Sequence, residues 1–308
     1  MVYNYLITVF TSTYNRAYLL PRLYSSLCRQ EFKDFEWLVI DDGSTDNTEE
    51  LMAKYSSQGI INIRYIKTTN GGKHRAINLA AKEAKGELFY IIDSDDYLYD
   101  DALQIISLYY GEIRMDNSFG GIWGLKTHPN GKKLGGGVYS KIDCTYLEFR
   151  YKYHIGGDMA EFFKTDVIRE FQFPDISNEK FCSEGLLWTR IASKYKLRFI
   201  YEKICICQYL VDGLTSNTIK VRINSPQYAS IGYIEHTHAS VPFVIKIKSA
   251  INFWRFAVYT RWSFKKKIGL IGWQYLLCLL FAFFFIIRDS YICRSSLPNI
   301  NLNKRNSN

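Results

Sequence analysis

Apolar and polar positions alternate in blocks along the first 110 residues, and the period within each block switches between that of a strand and that of a helix. Tyr3–Thr11 is a short apolar run and predicts a strand. Ala17–Glu31 carries Leu19, Leu20, Leu23 and Leu27 at helical spacing. Phe35–Ile40 is a continuous apolar run ending at Asp41-Asp42-Gly43, as a buried strand running into a turn would be. Thr45–Ser57 predicts a helix with Asp46, Glu49 and Glu50 in its first turn, where acids suit the dipole. Ile60–Ile66 predicts a strand, Gly72–Ala84 a helix, Leu88–Ile92 a strand and Tyr97–Arg114 a helix. Further on, Ala160–Phe163 predicts a strand and Gly185–Ser193 a helix. The leading β-α-β-α-β-α-β run predicts an α/β fold, a Rossmann-like, doubly wound and mostly parallel sheet with right-handed crossovers. Such sheets bind ligands outside the carboxyl ends of their strands.

Those ends are polar in all four cases. Strand one runs into Thr11-Ser12-Thr13-Tyr14-Asn15-Arg16, strand two into Asp41-Asp42-Gly43-Ser44, strand three into Asn70-Gly71-Gly72-Lys73 and strand four into Asp93-Ser94-Asp95-Asp96. A tyrosine ring offers a stacking face to a nucleobase, and a carboxylate accepts from a base N–H. Gly71-Gly72 lets backbone approach a phosphate at a helix start, with Lys73 adding charge beside it. Three carboxylates where a core strand ends repel one another, and a divalent cation with oxygen ligands relieves that repulsion. In an extended segment Asp93 and Asp95 point the same way and converge on one ion. The competing reading is a capped loop, with Asp95 or Asp96 heading the next helix. An EF-hand is excluded: counting from Asp93, Leu98 and Gln104 stand where Gly and Glu belong. Walker A and G-x-G-x-x-G motifs are both missing.

Composition narrows the picture further. The 308 residues are 47% hydrophobic and 16% aromatic, enough for one large domain and an appendage. The net charge of +9 lies in the tail: from Val241 onward eleven Lys and Arg face one acid, Asp289. The first 240 residues are therefore near neutral and make no basic nucleic-acid surface. Seven scattered cysteines with no C-x-x-C pair indicate neither a disulfide framework nor a zinc site, and fit a reducing, cytoplasmic setting. Tyr5–Phe10 is too short for a signal-peptide core and reads as a strand.

Taken together, "STYNR" at 12–16, "FEWLVIDDGSTDNTEE" at 35–50, "NGGKHRAINLA" at 70–80 and "ELFYIIDSDDYL" at 87–98 resemble glycosyltransferase family 2, on the GT-A fold. "SEGLLWTRIA" at 183–192 is similar to the family's acidic-then-Trp segment, and the resemblance covers roughly residues 1–215. It implies an inverting transfer of a sugar from a nucleotide-sugar donor, a UDP-sugar by preference. Carried over, Ser12, Tyr14 and Asp42 would hold the nucleobase, with Asn15, Arg16, Gly72 and Lys73 near the nucleotide. Asp93 and Asp95 form the D-x-D element for Mn²⁺ or Mg²⁺, Asp95 as the direct ligand and Asp96 on the metal or the donor sugar. Glu184 falls at the catalytic base. There the chain departs from the family: many members have Glu-Asp or Asp, and this one has Glu184-Gly185. Without the resemblance, Glu184 reads as a solvated first-turn residue. Asp158, after Gly156-Gly157, is a possible acceptor-site residue or simply part of a turn.

The expected organisation is a GT-A domain over 1–215, with nucleotide-sugar binding in 1–110 and the acceptor and catalytic half in 111–215. A helical extension over 216–262 and an apolar helix with basic flanks over 263–308 follow. Ile268–Ile287 has one clearly polar side chain, Gln274, and is long enough to span a bilayer. Basic residues flank it on both sides, Arg261 and Lys265–Lys267 before and Arg288 and Arg294 after, which suits an interfacial helix on an anionic leaflet at least as well. A buried core helix is the third reading. A membrane-associated extension at the cytoplasmic face of the inner membrane would bring the enzyme to a glycan or lipid-linked acceptor. Two other functions compete: a sugar nucleotidyltransferase, whose usual Gly-rich, basic N-terminal loop is missing from "VFTSTYNRAY", and a non-catalytic sensor of nucleotide sugars.

Overall fold

The structure, a computed structural model, describes residues 3–208 and 218–295. The nucleotide-binding half follows the expected alternation: β1 (Tyr5–Thr13), α1 (Leu20–Cys28), β2 (Phe35–Asp41), α2 (Thr48–Gln58), β3 (Asn62–Lys67), α3 (Lys73–Glu83) and β4 (Gly86–Ile91). These strands are parallel in the order β3-β2-β1-β4, with Ile7 beside Phe35 and Leu88. All seven residues of β2 are buried, as a strand covered on both faces requires. At the edge, β3 is only half-buried and carries Arg64 and Lys67, charges that discourage further strand pairing.

The second half widens the same sheet. It comprises β5 (Tyr97–Leu98), α4 (Ala102–Gly111), β6 (Phe119–Thr127), β7 (Ile142–Cys144), α5 (Tyr146–Tyr151), β8 (Met159–Lys164), α6 (Thr165–Glu170), α7 (Gly185–Ile191) and β9 (Lys196–Ile206). β8 pairs antiparallel with β4 and β6, and β6 runs parallel to β9. The helix predicted over Tyr97–Arg114 begins only at Ala102. Its first residues form β5, because Tyr97 and Leu98 pair with Ile206 and Cys205 of β9 and bury Leu98.

Residues 209–217, where the expected boundary at 215 falls, lie outside the described residues, as does the polar tail 296–308. Then come α8 (Thr218–Asn224), α9 (Pro226–His238), α10 (Phe243–Ala257), α11 (Phe264–Ile271), a 3₁₀ turn (Trp273–Tyr275) and α12 (Cys278–Ser295). They enclose a separate small core of Phe253, Trp254, Ile268, Ile271, Tyr275, Cys278 and Ala282. Buried Asp289 pairs with Arg255 at 2.5 and 2.9 Å across it. The continuous helix expected over Ile268–Ile287 is not formed. It breaks at Gly272, whose φ of +91° is open to glycine and strained for other residues. Among the described residues no helix is long and apolar enough to cross a membrane.

Candidate active site

A cleft of 710 Å³ opens at the carboxyl ends of the parallel strands. Ser12, Tyr14 and Arg16 reach it from the end of β1, Asp42 from β2, Gly72 and Lys73 from the start of α3, Asp93 from β4 and Glu184 from the N-cap of α7. Eight of the residues singled out in the sequence therefore share one cavity. Asn15, Asp95, Asp96 and Asp158 do not line it.

Asp42 is buried, and its carboxylate organises the glycine loop before α3. It accepts from the backbone N–H groups of Gly71 at 2.7 Å and Gly72 at 2.8 Å, and from Asn70 Nδ2 at 3.1 Å. Gly72 holds φ +97°, and a Cβ there would lie 2.0 Å from the carbonyl oxygen of Lys180. The tight approach sets the first turn of α3 against the loop that leads to Glu184. Tyr14, 48% exposed, offers an open ring face at the rim. Asn15, at φ +52°, lashes two strand ends together: its N–H donates to Ser44 Oγ at 2.9 Å and its Oδ1 accepts from Thr45 N–H at 2.7 Å.

The acidic segment is folded as a turn. Asp96 N–H donates to the Asp93 carbonyl at 3.1 Å, so the extended geometry expected to converge Asp93 and Asp95 on one ion is not adopted. Each aspartate instead meets its own cation. Asp93 pairs with Lys73, Asp95 with Arg16 at 3.3 Å, and buried Asp96 with buried Lys126 at 2.8 Å. Lys73 also reaches Glu184 Oε1 at 2.7 Å, so one ammonium bridges the strand-four carboxylate and the α7 carboxylate. Burial opposes the charge of Lys73, but Asp93 and Glu184 outweigh it and hold the ammonium firmly protonated. Burial likewise opposes ionisation of Asp93, and Lys73 and Lys126 hold its carboxyl below the usual range. For Asp95 burial, Asp93 and Asp96 all act the same way and push its carboxyl up.

Among the described residues no group of three or more His, Cys, Asp or Glu side chains forms a metal cage. A magnesium-like ion needs none: it takes one or two carboxylates and completes its shell with water and substrate phosphates. Asp95 and Asp93 are hard oxygen donors, and Asp95 carries repulsion that a cation would relieve. The donor types fit that mode of binding, for which Asp93 and Asp95 would exchange their Lys73 and Arg16 partners for the ion.

Asp158 is exposed in the turn entering β8, where the Gly157 carbonyl accepts from Arg150 Nη1 at 2.7 Å. Two residues missed in the sequence lie deeper. Glu161 on β8 sits opposite Ile91 of β4 and Trp123 of β6. Burial, then the charge of Glu184, pushes its carboxyl up to about 8. Its only signal in the sequence is a lone charge inside Met159-Ala160-Glu161-Phe162-Phe163. His74 lines the cleft from α3, is 2% exposed and has neither ring nitrogen hydrogen-bonded. Burial and neighbouring Arg75 depress it to about 4. The far wall of the cleft comes from Val221, Asn224 and Ser225, within the segment read as an extension.

Comparison with known proteins agrees with this architecture. The family model for glycosyl transferase family 2 matches residues 8–165. An uncharacterized glycosyltransferase, the MG025 homolog of Mycoplasma pneumoniae, is 33% identical over 123 residues, 39% of this chain and 41% of that protein. The poly(ribitol-phosphate) beta-N-acetylglucosaminyltransferase TarS of Staphylococcus aureus is 33% identical over 111 residues, 35% of this chain and 19% of TarS. The matched segments thus span less than half the length of these curated relatives. Among solved structures, S. aureus TarS superposes with a TM-score of 0.60 at 20% identity, covering 92% of this chain and 49% of that one. Mannosyltransferase PcManGT from Pyrobaculum calidifontis, in complex with GDP-Man and Mn²⁺, does so with a TM-score of 0.55 at 18% identity, covering 98% and 89%. With the family model spanning half the chain and the sheet arranged as in these GT-A neighbours, the chain belongs to glycosyl transferase family 2.

Proposed function

We propose that this chain is an inverting, metal-dependent glycosyltransferase that moves a sugar from a nucleotide-diphosphate donor to a hydroxyl of a glycan or lipid-linked acceptor. Its work would lie in surface polysaccharide biosynthesis, at the cytoplasmic face of the inner membrane. The observation that carries the reading is the bridge from Lys73 to both Asp93 and Glu184. It gathers the carboxylate that would face the diphosphate and the carboxylate that would act as base into one cluster around a single ammonium in the cleft.

Tyr14 stacks on the base, and Ser12 and Asp42 border it. Asn15 holds that rim in place. The first turn of α3 meets the diphosphate through N–H groups beyond Gly72, whose own is held by Asp42, and through the charge of Lys73. Arg16 lies beside it. Asp95 and Asp93 would hold Mg²⁺ or Mn²⁺, with Asp96 behind them, and the ion when bound stabilises charge on the departing phosphate as a Lewis acid. Glu184 accepts the proton of the acceptor hydroxyl as it attacks from the opposite face. Asp158 stands at the outer edge, on the acceptor side. A uridine donor is favoured by likeness to TarS, solved with UDP-GlcNAc, whereas PcManGT was solved with GDP-Man.

The test is release of UDP from UDP-sugars by purified protein, with and without Mn²⁺ and with glycan or lipid-linked acceptors. Glu184→Gln is expected to lower turnover by about 10²–10⁴-fold while leaving UDP binding intact. Asp95→Asn is expected to abolish the response to Mn²⁺. If both variants transfer sugar at near-normal rates, the reading is wrong.

A further inference from the structure

The C-terminal helices bury only one side of α12. Cys278, Ala282 and Asp289 face the small core and are buried. On the opposite side Leu277, Leu280, Phe281 and Phe284 are 72%, 69%, 63% and 81% exposed, at the three- and four-residue spacing of one helical face. Trp273, 72% exposed, stands just ahead of this stripe. Such a contiguous apolar face is far more than the scattered single residues of an ordinary surface.

The charges around it name the occupant. Residues 241–290 hold eight Lys and Arg and a single acid, Asp289, which is 1% exposed and bound to Arg255. Lys265 and Lys266 are exposed on α11, and Arg288 is exposed on the outer side of α12 itself. A second copy of this lobe would set like charge against like charge. An anionic lipid leaflet matches both features: acyl chains for the stripe, headgroups for the cations, and the interface for Trp273.

We propose that α11 and α12 form an in-plane docking surface for anionic lipid headgroups, with the outer stripe of α12 sunk to the acyl boundary. The broken helix is what permits this, since the turn at Gly272 lays basic α11 and apolar α12 side by side in sequence on one lobe instead of threading them through the bilayer. The lobe is also tied to the cleft. Trp262 Nε1 donates to Gln227 Oε1 at 3.2 Å, and the N–H groups of Gln227 and Tyr228 both donate to Glu179 at 3.0 Å, one residue before the Lys180–Glu184 wall. Docking therefore fixes the attitude of the cleft towards the leaflet. The inference rests on the membrane-side part of the proposed function but not on its chemistry, because lipid binding needs neither donor nor metal.

The full chain is sedimented with phosphatidylcholine vesicles, with or without phosphatidylglycerol, at low and high salt. Binding is expected only with phosphatidylglycerol and is expected to weaken as salt rises. A lysine near a charged leaflet is worth about fivefold in affinity. Lys265→Glu with Lys266→Glu should then cost at least about tenfold, and Leu280→Ser with Phe284→Ser a comparable amount. Both double variants alter exposed side chains, and unchanged thermal melting confirms that they fold. Vesicle binding by wild type that survives both double variants overturns this surface and leaves the membrane reading standing. No binding by wild type to any vesicle overturns both, while transfer to a soluble acceptor would still uphold the transferase. Should Phe284→Ser instead convert a dimer to a monomer in sedimentation without changing lipid binding, the occupant is a second copy and the proposal fails.

Discussion

Glu161 shows how much one side chain can report about its surroundings. It sits in a strand interior, where burial and the like charges of Glu184 and Asp158 disfavour its ionised form and Lys126 and Arg150 partly offset them. Because its folded carboxyl titrates near 8 against an ordinary 4.5, the folded protein holds this proton more tightly than the unfolded chain. The associated stability is complete below about pH 4.5 and drains away as pH climbs towards 8. Glu161→Gln should remove that slope. In urea melts of metal-free protein, wild type is expected to lose more than about 1 kcal/mol between about pH 5 and pH 8 that the variant keeps. The comparison separates Glu161 from buried His74, whose depressed pKa acts in the opposite sense and is common to both proteins. Identical slopes would mean that Glu161 is not the group responsible. At this scale the sequence was legible wherever polarity marked a strand end. Lys73 and Asp93 were chosen that way, Glu184 only through the family resemblance, and the fold brings the three into contact. Glu161 was not legible, because a lone polar residue in an apolar stretch carries no pattern until its neighbours across the sheet are known; Lys126 and His74 were not, because nothing in a run of polar residues says which one the fold will bury.

One carboxylate and one glycine decide how the loop before α3 enters its helix. Asp42 takes up the N–H groups of Gly71 and Gly72, the last of the loop and the N-cap of the helix, and Gly72 supplies the backbone angle at that join. Gly72→Ala combines a strained φ with a 2.0 Å approach to the Lys180 carbonyl. It is expected to cost about 3 kcal/mol in stability and to weaken UDP binding in calorimetry. Retention of wild-type melting and affinity would show that the loop relaxes freely. Elements as such were largely readable: β1 to β4 and α1 to α3 lie within a few residues of their expected positions, since each is long and strongly periodic. Two were misjudged for the same reason, that periodicity does not see tertiary partners. Tyr97-Leu98 reads as helix until β9 claims it as a strand, and 268–287 reads as one apolar helix until Gly272 turns the chain and Ile268, Ile271, Tyr275, Cys278 and Ala282 enter a core.

For the molecule as a whole, the question is what couples the basic helical lobe to a near-neutral catalytic sheet. Arg190 and Glu235 join α7 to α9 at 2.8 Å, at a partly exposed position where an ion pair contributes little. Glu179 is the stronger link. It is 5% exposed, and both its oxygens are engaged by the first free N–H groups of α9. A carboxylate at that place satisfies the helix start and complements its dipole. Glu179 also lies next to Lys180, on the loop that forms the wall facing Lys73. Removing the carboxylate should therefore act twice: Glu179→Ala strands one buried donor, worth about 1–3 kcal/mol, and one part-buried donor, worth less, and frees the wall to shift. The expected result is a lower melting temperature together with a fall in kcat/KM for a soluble acceptor. Glu50→Ala, on the exposed face of α2, should change neither. Glu179→Gln, which keeps one acceptor oxygen, should recover part of both. If Glu179→Ala melts early yet transfers sugar normally once folded, the lobe merely props up the fold. Loss of both together, with partial rescue by glutamine, would establish that the lobe shapes the cleft as well as supporting it.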